Sequence, residues 1–290
     1  MDARRHQRTK AIGVAALCVL LLAGTTIAGF WGYKNASAPA RCPYGSLAIE
    51  SRCCADGQTI KGGRCTGTPK SCPPNLSLIK NACVALPKRV TIAGGALRLG
   101  PGDWEAQGFV QPRVVKISTP FELDVIEVTY ARWEACANAG ACTSLSSKNE
   151  PGCPVSGVTF VQAASFCEWA GGTLPSEDAW ILAAAGPHSN RYPWGNTGAV
   201  CRRADWGRLK GPCALQASQP EWAGLFAADR TPHGVMGLAG GVSEWSRSAD
   251  GPVVLGGSYR SQLATQLRTW RREKRDSNKA YKDVGFRCMY

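Results

Sequence analysis

The chain has 290 residues, 44% of them apolar, which is enough for a substantial core and excludes a disordered tail. Its formal charge of +13 comes from 34 basic against 21 acidic residues, with Arg4, Arg5, Arg8 and Lys10 at the start and a dense group from Arg268 to Arg287. Such a balance suits anionic glycans, phospholipid surfaces or nucleic acid, and excludes none of the three by itself.

In chain order, MDARRHQRTK (1–10) precedes AIGVAALCVLLLAGTTIAGFW (11–31), 21 residues without a charge. That run is long enough to cross a bilayer. The basic flank predicts a transmembrane signal anchor, with residues 1–10 cytoplasmic and the chain after Trp31 extracytoplasmic, either periplasmic or extracellular. Cleavage near Ala36, Ser37 and Ala38 is the rival reading, but the apolar run exceeds a usual signal-peptide core and Pro39 would follow the cut. Of the 14 cysteines only Cys18 lies in the run, so export makes disulfides the expected state of the others. Export also sets nucleic acid aside as a partner. Thiolate metal binding falls with it, because no two Cys-x2-Cys pairs match and His6, His188 and His233 are scattered.

Residues 32–41 read as a linker. Residues 42–89 hold three Cys-x10-Cys units: CPYGSLAIESRC from Cys42 to Cys53, CADGQTIKGGRC from Cys54 to Cys65, and CPPNLSLIKNAC from Cys72 to Cys83. Units this small need staples. Many pairings of six cysteines are open, and the equal spacing favours one bridge within each repeat. No exposed aromatic or charge cluster marks the repeats, so they are expected to act as a stapled spacer that lifts the next domain off the membrane.

From about Val90 the chain is rich in Gly and Trp. VTIAGGALRLG and VVKISTPFELDVIEVTY read as strands from their Val, Ile, Thr and Phe content between Gly and Pro. Helical spacing predicts one helix from Phe160 to Ala170, stopped by Gly171, and a second after Pro175, capped by Ser176 and ending at Gly186. Residues 90–290 therefore read as one α+β domain with many ordered loops.

The motifs EVTYARW (127–133), PVSGVTFVQAASFCEWAGGTLPSEDAWILAAAG (154–186), YPWGN (192–196), TPHGVMGLAGGVSEW (231–245), GGSY (256–259) and VGFRC (284–288) stand in an order that resembles the formylglycine-generating enzyme, or sulfatase-modifying factor, family. The resemblance covers about Val90 to Tyr290 and implies a variant of the C-type lectin fold, with little regular secondary structure and two helices beside a small twisted sheet. It also implies a bridge between Cys167, on the inward face of the first helix, and Cys288, at the last strand. Cys136 with Cys142, and Cys201 with Cys213, are plausible local pairs. Cys153 is left over, and pairing with Cys136 or Cys142, an intermolecular bridge and a free thiol all stay open.

Active members of the family oxidise a cysteine of a sulfatase peptide to formylglycine with oxygen and copper. Copper(I) wants soft thiolate ligands. The family places them as Cys-x4-Cys just after the Gly-Gly-Ser-Tyr turn, where this chain has Ser261 and Gln266, and no cysteine occurs between Cys213 and Cys288. Copper is therefore not expected, and the resemblance implies a pseudoenzyme. A calcium site implied by the family is reduced as well. Glu244 and backbone oxygens of Gly240 and Val242 remain, Asp205 stands where a second site would draw a ligand, and Gly237 and Gly241 replace residues that usually carry polar side chains.

Other catalytic patterns are weaker. Ser258 and His233 lie in structural motifs without a nucleophile elbow, and the adjacent Glu177 and Asp178 turn to different faces of a helix. The leading expectation is a membrane-anchored extracytoplasmic protein that binds a ligand or another protein. Arg260, Ser261, Arg268, Trp270 and Arg271 would line the groove beside the Gly-Gly-Ser-Tyr turn and clamp an anionic peptide, glycan or lipid head group. A merely solvated basic face is the plainer reading. The alternatives are an active formylglycine-generating oxidase or another enzyme using different residues, and an assembly component that docks through its repeats.

Overall fold

The computed structural model describes residues 41–290 apart from 44–45, 75, 80–81, 85–86, 100–111 and 147–148. The predicted anchor at 11–31 and its basic flank lie outside the described residues. Among the described ones no helix is long and apolar enough to cross a membrane.

Residues 41–290 form one compact unit. Its first part is three antiparallel hairpins, β1 (Ser46–Ile49) with β2 (Arg52–Ala55), β3 (Thr59–Lys61) with β4 (Arg64–Thr66), and β5 (Ser77–Ile79) with β6 (Ala82–Val84). Each repeat closes on itself, through Cys42–Cys53, Cys54–Cys65 and Cys72–Cys83. The repeats are not held off as a spacer, however. All four residues of β2 are buried, and Cys42, Cys53, Ala55, Leu76 and Cys83 belong to the same apolar cluster as Trp133 and Trp222. Hairpins of three or four residues cannot bury a core of their own; these borrow the core of the domain behind them.

Next come β7 (Arg89–Ile92), paired with β10 (Phe121–Asp124), and β8 (Gly95–Leu99), paired with β9 (Arg113–Ile117). The strand-like run to Tyr130 ends early, at Asp124. Its last residues instead lead into a helix that β-branched composition concealed, α1 (Tyr130–Asn138), where the Thr129 side chain caps the turn by accepting from the Arg132 amide. The two expected helices follow. α2 (Phe160–Trp169) opens on a reciprocal capping box between Thr159 and Gln162. α3 (Glu177–Ala185) is capped by Ser176 and ends at Gly186, whose φ of 62° few other residues adopt. From Ala179 to Ala185 every residue of α3 is buried, so beyond its first turn it is a core helix without a solvent face.

The remaining regular structure is a four-stranded sheet in the order β13 (Arg272–Glu273), β12 (Gly251–Leu255), β11 (Ser243–Ser248), β14 (Val284–Gly285). β14 runs parallel to β11, placing Gly285 opposite Glu244. Three further bridges, Cys136–Cys142, Cys167–Cys288 and Cys201–Cys213, tie the loops. Cys167 and Cys288 are 121 positions apart, and closing a loop of that length is worth about 4–5 kcal/mol in the chain-entropy model.

Candidate functional site

Beneath the sheet, Arg287 is fully buried and pairs with Glu244, Nη2 to Oε1 at 2.7 Å and Nε to Oε2 at 2.9 Å. Its remaining donors reach the carbonyls of Asp124 and Met236. The indole of Trp180, on α3, donates to Glu244 Oε2 at 2.8 Å. Glu244 is thus already neutralised by a guanidinium, and helix, sheet and C-terminus meet on it. The missing side chains at Gly237 and Gly241 have a local cause, since a Cβ there would stand 2.6 Å and 2.5 Å from the carboxylate oxygens of Glu127.

A second buried network lies where the first hairpin meets the domain. Arg208 Nη2 donates to Glu221 Oε1 at 2.7 Å, and its Nε lies 3.4 Å from Asp205 Oδ1. Arg52, from β2, places Nη2 3.3 Å from Glu150 and Nε 3.4 Å from Glu221, and donates to the Pro220 carbonyl at 2.9 Å. The Cys53 amide also donates to Glu221. Glu127, Asp205, Glu221 and Asp229 line a cavity of about 20 Å³, room for one water-sized species. Burial, only partly offset by Arg208, pushes Asp205 up to about 7. Burial also raises Asp229 to about 7 and Glu127 well above the carboxylate range.

The two side chains that the resemblance would give to calcium, those of Glu244 and Asp205, are engaged with protein partners. Glu244 is bound to Arg287 and Trp180, Asp205 gives one oxygen to the Glu221 amide and faces Arg208 with the other, and its carbonyl accepts from Gly241. Val242 is buried beside the strand that carries Glu244. Arg287 and Arg208 thus face Glu244 and Asp205 where the resemblance would put the cation.

The positions of the family's thiolates are no closer to fitting copper. Ser261 is buried and its Oγ accepts from the Ser258 amide at 3.0 Å. Gln266, in a short 3-10 turn (Ala264–Leu267), gives its Oε1 to the amides of Gln262 and Leu263 at 2.8 and 3.1 Å. Both side chains hold the loop that bears them. Among the described residues Cys153 is the unpaired cysteine, buried beside Arg52, and burial pushes its thiol up to about 12. Such a thiol is not a thiolate at neutral pH.

The five residues expected to line one groove are dispersed. Arg260 is exposed, whereas Ser261 and Arg268 are buried. Trp270 belongs to a different cleft, with Leu99, Ser176, Arg113 and Arg272, where Arg113 pairs with Glu177 and Asp178, and Arg272 pairs with Glu177. Arg271 is held by Glu273 and by the Gly256 carbonyl.

The Gly-Gly-Ser-Tyr turn reaches, through the tip of Tyr259, a cleft of about 470 Å³ lined by Tyr130, Asn149, Ser156, Ser218, Gln219 and Lys282 among others. The Tyr259 hydroxyl donates to the Ser218 carbonyl at 3.0 Å. Burial raises the Tyr259 pKa, and Arg260 hydrogen-bonds that side chain. Asn149 donates to the Tyr130 hydroxyl at 2.9 Å, which in turn donates to Ser156. The lining mixes these hydroxyl and amide groups with the apolar Leu145, Pro220 and Ala280, and Lys282 is the cation on it. Reasoning from sequence missed these residues because they are isolated polar positions in loops, without spacing or motif.

Fold and site together define a domain of the formylglycine-generating type whose chemistry-bearing positions are occupied by structural hydrogen bonds. The family description "Sulfatase-modifying factor enzyme 1-like domain" matches residues 75–290, and the chain belongs to that family. It is similar to the inactive C-alpha-formylglycine-generating enzyme 2 of Mus musculus, 31% identical over 150 residues, covering 47% of this chain and 48% of that protein. It is also similar to hercynine oxygenase of Mycolicibacterium smegmatis, 32% identical over 100 residues, covering 33% of this chain and 22% of that protein. The chain thus spans half or less of the length of these relatives. Among solved structures, that of PvdO from Pseudomonas aeruginosa shares the fold, with a TM-score of 0.58, 16% identity, and coverage of 70% of this chain and 94% of that one.

Proposed function

We propose that this chain is a non-catalytic member of its family, anchored in a membrane and displayed on the extracytoplasmic side, that binds an extended polar ligand, most simply a peptide, in the cleft beside Tyr259. The observation that carries the reading is the use of Ser261 and Gln266. Their oxygens are consumed by backbone amides, while a cleft of about 470 Å³ stands open where the Tyr259 side chain reaches the lining residue Ser218. A relative whose name declares it inactive supports it, and six disulfides are in keeping with an oxidising compartment. Neutral hydroxyls and amides recognise backbone and polar side chains, and Lys282 on the cleft favours an acidic sequence.

Two measurements test it. Incubating the chain with copper(I), oxygen and a sulfatase-type cysteine peptide leaves the thiol intact by mass spectrometry; appearance of the aldehyde would overturn the reading. A library of acidic and neutral peptides is then screened for retention on wild-type chain against the Ser218→Trp variant. Retention that the tryptophan abolishes places the ligand in the cleft, and equal retention by both removes it from there.

A further inference from the structure

We infer that the unpaired edge of β8 is a docking site for an extended acidic peptide, one that joins the β8–β9 sheet as a third strand and carries carboxylates at alternate positions. The inference is independent of the cleft beside Tyr259 and rests on a different part of the chain.

The register of the hairpin fixes which side chains share a face. Ala96 stands opposite Lys116, and Arg98 opposite Val114. Pairs two positions apart in a ladder point the same way, so these four side chains lie together, and all four residues are exposed, Val114 at 58%. Leu97, Leu99 and Val115 point the other way, into the apolar cluster built on α3. The exposed face is one-sided in charge. Neither strand contains an acid, and among the described residues Arg98 and Lys116 have no hydrogen-bond or ion-pair partner. Arg113, at the end of the same hairpin, is by contrast held by Glu177 and Asp178.

The edge is open as well. β8 and β9 form a two-stranded sheet, and among the described residues no backbone hydrogen bond leaves either strand for a loop. Cations on such an edge guard against pairing with a neutral or basic strand; an acidic strand is the partner that they attract instead. Spacing commits that partner to an extended chain. Ala96 is small and leaves room for the Lys116 stem to cross it, over a strand separation of about 4.8 Å, while Arg98 stands two residues along on β8 itself. The two charges then meet the edge about 7 Å apart, the repeat of side chains on one face of an extended chain. Carboxylates at positions i and i+2 of an added strand fall in that register, with main-chain bonds supplying affinity and the two cations selecting the sequence. The edge of β9 lacks this match, because the larger Val114 stands between Arg98 and that edge.

The test titrates the full chain with a fluorescent peptide that alternates threonine and glutamate, read by anisotropy. The expected result is saturable binding that high salt weakens, and the joint variant of Arg98→Gln with Lys116→Gln loses about tenfold in affinity with its melting temperature unchanged. A strand added to an edge turns every second amide toward the sheet, so N-methylation of the peptide in one phase abolishes binding and in the other leaves it intact. Absence of binding overturns the proposal. Equal binding of a peptide with the same glutamates gathered in one block overturns it too, as does equal binding of both N-methylated forms, since either shows charge attraction without a third strand. Heparin bound in place of the peptide, and lost in the joint variant, assigns the face to a polyanion and overturns it as well. Ser218→Trp is the control for the cleft. It leaves edge binding unchanged, and binding that is lost in that variant but kept in the joint one places the peptide beside Tyr259 and removes it from β8.

Discussion

In the seam between the first disulfide hairpin and the domain, the side chains of Arg52 and Arg208 are 1% and 0% exposed and face Glu150, Asp205 and Glu221. On the lobe formed by residues 187–217 and 256–270 around Trp194, Arg202, Lys210 and Arg260 are exposed, in segments whose one acid, Asp205, is buried. The residue types are the same and the energetics are opposite. A buried guanidinium is tolerable only with its partners in place, so each member of the seam is a structural commitment. An exposed one in high dielectric contributes little to the fold.

The largest expected effect comes from breaking the seam. Arg52→Ala leaves Glu150 and Glu221 buried with less compensation, and the expected loss is about 3–5 kcal/mol. Thermal unfolding measures it. Because Arg52 belongs to a hairpin that precedes the family domain, a loss of that size also shows that the repeats are part of its folding unit. A loss below about 1 kcal/mol, the range of exposed pairs, would return them to the role of a spacer.

The same seam should titrate. Burial holds Asp205 and Asp229 at about 7 against an ordinary 3.8. Between about pH 4 and 7 the folded chain therefore binds more protons than the unfolded one, and stability falls as pH rises through that window. Melting temperature is expected to drop by roughly 5 °C or more from pH 5 to pH 8. Asp229→Asn should flatten the profile; an unchanged slope would assign it to other groups. A smaller effect, about 1–3 kcal/mol, is expected for Trp180→Phe, which strips one donor from the buried Glu244 and puts a smaller aromatic ring in place of the indole.

How much of this was legible differs between the two regions for physical reasons. Equal Cys-x10-Cys spacing announced the hairpin bridges, and the ordered motifs announced the domain and the Cys167–Cys288 tie. Helix α1 was hidden because VIEVTY has strand composition, and its cap Thr129 is itself β-branched. The seam was hidden more deeply. Arg52 meets Pro220 across 168 positions, and in sequence it looks like any exposed basic residue beside a cysteine. Arg268 misled in the same way, since a basic run suggests a surface, yet Leu267 and Thr269 on either side are buried and Arg268 is 5% exposed. Charge density is visible in a sequence, but burial of an individual charge depends on partners that only the fold supplies.

The lobe gives the smallest stability effect and the sharpest contrast. Replacing Arg202, Lys210 and Arg260 with glutamine is expected to change unfolding free energy by at most about 0.5 kcal/mol in total, because exposed cations away from special structure contribute little to the fold. A thermal scan of the triple variant beside Arg52→Ala separates the regions. If the triple variant melts like Arg52→Ala, the lobe's cations are structural and the opposition between the two regions fails, because charges at the surface would then be as deeply committed to the fold as those in the seam.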